Sequence, residues 1–90
     1  MIDTITNRKR GEMSEIEKYD KAFIDTFSIT KDLLFNLKYQ DVPDWDSVGH
    51  MALMATLEEC FAIEMDIDDI IEFSSYESGK LILSKYGILV

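Results

Sequence analysis

One proline and four glycines in 90 residues leave this chain few points at which a helix must stop. Ninety residues make one domain rather than two, and a 47% apolar content suits a folded core rather than a disordered chain. Helical signals occur in four places. Ser14-Glu15-Ile16-Glu17 is a capping box. Behind it Ile16, Tyr19, Phe23, Ile24 and Phe27 recur at three-to-four spacing, which predicts an amphipathic helix over 15–28. Asp46 and Ser47 are both good N-cap residues for a second long helix running to about Phe61. Leu53, Met54, Leu57 and Phe61 form its core stripe, while Val48, Met51 and Ala55 lie on another side.

Asp66, Asp68 and Asp69 predict the start of a short third helix near 68–72, after the brief alternation of Ile63, Met65 and Ile67. Ser74-Ser75-Tyr76-Glu77 is a second capping box, opening a last helix over 75–86. Leu81, Ile82 and Tyr86 are expected to face the core there, and Gly87 to stop the helix. Residues 29–46 form a long connection with a turn around 31–37, Leu33, Leu34, Leu37 and Tyr39 tucked onto the bundle, and Pro43 ending the turn. Loops of this length in a compact domain are often functional. The expected fold is therefore all-α: a four-helix bundle over 14–90 with a long loop between the first and second helices. Residues 1–13, with the Arg8-Lys9-Arg10 cluster, are read as a mobile tail.

The net charge of −9 is unevenly placed. Residues 1–38 carry seven acids and seven bases, whereas Tyr39–Gly79 carry eleven acids and no Lys or Arg. Such a block repels nucleic-acid backbones and anionic membrane surfaces and favours basic protein surfaces. No apolar run is long enough for a membrane span, and polar residues interrupt the N-terminus where a signal peptide needs an apolar core. The lone Cys60 forms no internal disulfide. A cytoplasmic monomer is expected.

Three chemistries can be weighed at Asp46-Ser47-Val48-Gly49-His50. Ser47 and His50 share a helix face, but no oxyanion-hole motif or separate orienting acid accompanies them, so hydrolysis is disfavoured and His50 is read as a surface or partner-contact residue. Asp44-x-Asp46 begins like a calcium loop, yet Val48 and Ala55 stand where oxygen donors are needed, and Asp66, Asp68 and Asp69 fail the same template at Ile70. One Cys and one His do not make a zinc site.

The segment Asp44-Trp45-Asp46-Ser47-Val48-Gly49-His50-Met51-Ala52-Leu53, followed by Leu57-Glu58-Glu59-Cys60-Phe61-Ala62-Ile63 and Ile67-Asp68-Asp69, resembles the acyl carrier protein family. That family's signature is an Asp-Ser-Leu triplet opening a helix, with an acid, a phenylalanine, an isoleucine and an acidic cluster downstream. The likeness extends from about Ser14 to Gly87. It implies a non-enzymatic carrier, in which a phosphopantetheinyl transferase moves 4′-phosphopantetheine from coenzyme A onto Ser47 as a phosphodiester. The thiol of that arm then holds an acyl group as a thioester. The resemblance makes Asp46 the acid read by the transferase. Val48, Met51 and Ala55, rimmed by Glu58 and Glu59, become the docking surface for acyl-loading and acyl-transfer enzymes with basic surfaces.

Two positions depart from the family pattern: Trp45 stands where many relatives have glycine, and Val48 where they have leucine. The string Trp-Asp-Ser-Val-Gly-His-Met is closer to free-standing carriers of specialised pathways, such as polyketide, peptide or cell-surface polysaccharide assembly, than to the fatty-acid synthesis carrier. A peptidyl or aminoacyl carrier of the same fold, and an unmodified protein-interaction module, are the alternatives.

Overall fold

The structure, a computed structural model, describes residues 13–90. The tail expected over 1–13 lies outside the described residues except for Met13. Helix α1 spans Glu15–Phe27 and opens on the predicted box: Glu17 N–H donates to Ser14 Oγ at 3.3 Å, and Ser14 N–H to the Glu17 carboxylate at 2.9 Å. Its stop at Ser28 is a left-handed residue (φ 55°), a conformation that costs a non-glycine about 1 kcal/mol and ends the helix there. Helix α2 spans Ser47–Phe61, α3 Ile67–Glu72 and α4 Tyr76–Ser84, with a 3-10 turn at Lys31–Leu33 in the first connection. The described chain is all-α: four helices, no strand, and one isolated bridge between Lys38 and Ser75. No helix among the described residues is long and apolar enough to cross a membrane.

Tyr19, Phe23 and Phe27 of the α1 stripe and Leu53, Met54 and Leu57 of the α2 stripe are buried in one core, joined by Ala22, while Ile16, Ile24 and Phe61 are only half-buried at its edge. Ile82 and Leu83 of α4 and Phe73 and Tyr76 before and at its start complete the centre. Tyr19 Oη donates to the Tyr76 carbonyl (2.6 Å) and Tyr76 Oη to Asp20 (2.5 Å), so the polar atoms carried inward are paired.

The long connection is held at several points. Leu34 and Leu37 are buried as expected, but Leu33 and Tyr39 lie exposed; the predicted turn over 31–37 is a 3-10 turn of only three residues, with none of its side chains buried. Tyr39 N–H donates to the Ser74 carbonyl and Tyr76 N–H to the Leu37 carbonyl, each at 2.9 Å, tying the connection to the start of α4. Trp45 is fully buried, stacked on Phe27 (ring centroids 5.1 Å apart) and edge-on to Phe23 (5.6 Å).

The last helix departs most from expectation. Its cap is Ser75, not Ser74: Ser78 N–H donates to Ser75 Oγ at 2.9 Å, and Ser75 N–H to Ser78 Oγ at 3.0 Å. Glu77 instead sits in the first turn and the helix ends at Ser84 rather than 86. Its buried face carries Tyr76, Gly79, Ile82 and Leu83, so Leu81 is 72% exposed rather than core, and Tyr86 is half-buried beyond the helix. The reason lies at Gly79, where a Cβ would come within 2.2 Å of both Tyr19 Oη and Phe73 Cζ. Only the glycine face of α4 lets those two rings in.

Candidate functional site

Asp46, not Ser47, caps α2. Its carboxylate accepts from Gly49 N–H at 2.8 Å and its carbonyl from His50 N–H at 2.7 Å. Ser47 is thus the first helical residue, exposed, with its hydroxyl at the positive end of a 15-residue helix. Gly49 is needed for this entry: a Cβ there would lie 1.8 Å from the carbonyl oxygen of Asp44, so the connection can press on the first turn of α2 only over a glycine.

Ser47 opens on a groove of about 350 Å³ lined by His50 and Met51 of α2, by Ile67, Ile70 and Ile71 of α3, and by Tyr39, Phe73 and Ser74 of the connections. The groove lies in an apolar surface to which Val48 (77% exposed), Met51 (52%), Ile67 (66%) and Ile71 (69%) contribute. Acids surround it. Asp44, Glu59, Glu64, Asp66, Asp68 and Glu72 are exposed and have no salt bridge among the described residues.

The predicted docking residues Val48, Met51 and Ala55 are all exposed on α2, alongside Glu59. Glu58 is half-buried, and its carboxylate accepts from Met65 N–H at 2.9 Å, so it closes the α2–α3 connection as well as facing solvent. His50 corrects the surface reading. It is half-buried, its Nδ1 accepting from Trp45 Nε1–H at 3.0 Å and its Nε2 lying 2.8 Å from the Ile70 carbonyl. Tryptophan N–H only donates, so Nδ1 must be the bare nitrogen and Nε2–H the donor to Ile70.

Helix α3 is fastened at its other side. Asp69 accepts from Lys85 Nζ (2.5 Å) and Tyr86 Oη (2.6 Å), while Asp66 N–H donates to Tyr86 Oη at 2.8 Å. The hydrogen bond from Lys85, then that from Tyr86, hold the Asp69 carboxyl below the usual aspartate range against the opposing effect of burial. No family model matches the chain, and no curated protein or solved structure matches it either.

The α3 wall of the groove was not singled out from the sequence. Its one available signal is Ile67-x-x-Ile70-Ile71, three isoleucines on a six-residue helix whose core contact is made largely by Phe73 beyond it. Trp45, read only as a departure from a family pattern, anchors the connection in front of Ser47.

Proposed function

We propose that this chain is a carrier of the acyl carrier protein type, a four-helix bundle with a long first loop that holds acyl groups on a 4′-phosphopantetheine arm at Ser47. One observation carries the reading: an exposed serine hydroxyl at the first turn of a long helix, opening on an apolar groove within a stretch that contains no Lys or Arg. The residues fit such a group. A phosphodiester on Ser47 Oγ would stand by the N-terminal end of α2, where peptide dipoles favour an anion. The Asp46 carboxylate is engaged with Gly49 N–H and leaves the Ser47 hydroxyl uncovered.

When attached, the arm supplies a thiol that carries the acyl group as a thioester. The protein's own part is to present Ser47, to offer apolar surface beside it, and to attract partners. Val48, Met51, Ala55, Ile67 and Ile71 give contact area, Met51 being the most adaptable. Asp46, Glu58 and Glu59, with the neighbouring acids, complement Lys and Arg on a transferase or an acyl-transfer enzyme. The pathway and the load, whether acyl, aminoacyl or peptidyl, follow from the partners.

The test is intact mass before and after incubation with coenzyme A and a promiscuous phosphopantetheinyl transferase, with Ser47→Ala as control. Gain of one phosphopantetheine in the parent and none in the control is expected. A folded parent, free of prior modification, that gains nothing would leave an unmodified interaction module working through the same acidic, apolar α2–α3 face.

A further inference from the structure

We propose that His50 is the positioning residue of the groove beside Ser47, holding α3 in place as a strut whose orientation Trp45 sets. This rests on the carrier reading only where the cargo is concerned. Helix α3 has six residues, too few to be stable by itself. Its N-terminal side is fastened by Tyr86 to Asp66 and by Lys85 and Tyr86 to Asp69. At the groove, the side-chain hydrogen bond between α2 and α3 among the described residues is His50 Nε2–H to the Ile70 carbonyl.

That carbonyl belongs to the last turn of α3, where the helix itself supplies no donor. The N–H that a longer helix would offer it, that of Ser74, donates instead to Ser78 Oγ at 3.1 Å. Trp45, fully buried, cannot follow a rotating imidazole, so its N–H fixes the ring with Nε2–H aimed at α3. The strut therefore runs from the buried connection through the first turn of α2 to the far wall of the groove, and its length sets the separation of Met51 from Ile67 and Ile71. With cargo on Ser47, that separation decides whether the chain next to the arm lies against apolar side chains or in water.

Two isosteres split the strut. His50→Asn keeps an acceptor where Nδ1 lies but cannot reach Ile70. His50→Gln keeps a donor where Nε2 lies but offers Trp45 no acceptor at the old position. Amide hydrogen exchange of the unmodified protein is the first readout. In His50→Asn, exchange at Ile70–Phe73 should quicken roughly tenfold, the equivalent of one net hydrogen bond, with α1 amides unchanged. His50→Gln keeps the donor but loses the Trp45 contact that orients it, so α3 protection should fall between that of the parent and that of His50→Asn while the Trp45 indole N–H exchanges faster. Unchanged protection of α3 in His50→Asn overturns the proposal, and so does equal loss in α1 and α3, which would mark a general structural role.

The second readout uses protein loaded from coenzyme A bearing a dansyl-terminated acyl thioester. His50→Asn should shift the dansyl emission toward its value in water relative to the parent, and an unshifted emission would remove the link to cargo. If the parent does not load at all, the carrier reading fails, while the exchange experiment still decides the strut.

Discussion

The indole N–H of Trp45 donates to Nδ1 of His50 at 3.0 Å, and the two rings lie nearly parallel at 13°. One donor and one acceptor thereby join the connection ahead of α2 to its first turn. Trp45→Phe keeps an aromatic ring against Phe23 and Phe27 but removes the donor and part of the buried volume. A loss of about 2 kcal/mol is expected, the sum of a missing hydrogen bond and a small cavity. Urea unfolding followed by far-UV circular dichroism measures it, and a stability equal to the parent's would refute the assignment.

Gly49→Ala and Gly79→Ala both replace a helical glycine, a change that by propensity alone stabilises by up to about 1 kcal/mol. Here both should destabilise, by about 1–3 kcal/mol, because the added methyl meets the Asp44 carbonyl in one case and the buried Tyr19 and Phe73 rings in the other. Thermal melts of the two variants suffice; a raised Tm in either would show that the neighbours yield.

Stability should fall at both ends of the pH range for different reasons. The Asp69 carboxyl is held low by Lys85 and then Tyr86, so its contribution is present above the unfolded aspartate value near 4 and is lost as pH falls through the lower folded value. Tyr76 is pushed up, first by burial and then by its hydrogen bond to Asp20, and Tyr19 is raised by burial in the same way. Their contribution is intact below about pH 10 and is lost as pH rises above it. Melts against pH should show Asp69→Asn flattening the acid limb and Tyr76→Phe flattening part of the alkaline limb. Limbs unchanged by these variants would locate the titration elsewhere.

Glu58 and Glu59 are neighbours with different duties. Glu59→Lys, at an exposed site, should leave stability within about 0.5 kcal/mol, whereas Glu58→Lys removes the acceptor for Met65 N–H and should cost about 1 kcal/mol. On the proposed carrier function, both should slow loading of Ser47 and weaken its dependence on salt, since each takes a negative charge from the proposed docking face. Initial loading rates across a sodium chloride series, set beside denaturation curves, separate the two effects. Rates that do not change would remove both acids from the partner surface.

What could be read along the chain was what depends on neighbours in sequence. The capping box at Ser14, the stripes of α1 and α2, the start of α2 at Asp46-Ser47 and the one-sided charge all arise within a few residues, and they placed the exposed serine correctly at a helix start. The second box illustrates the limit: Ser74 and Ser75 are both competent caps, and the bridge from Lys38 to Ser75 accompanies the choice of the latter.

Tertiary structure decided the rest, because the deciding contacts join side chains of different elements, whatever their separation in sequence. The close approach of Tyr19 and Phe73 to Gly79 rotates α4 so that Ile82 and Leu83 turn inward and Leu81 outward. His50 becomes a strut rather than a surface residue because Trp45 comes back from the connection to one ring nitrogen and α3 reaches the other. The groove beside Ser47 needs α3 laid against α2, and three isoleucines on a six-residue helix acquire that meaning only once Phe73 has taken the core position. Local chemistry determined where α1 and α2 begin and where charge lies, and packing determined which helix faces remain exposed.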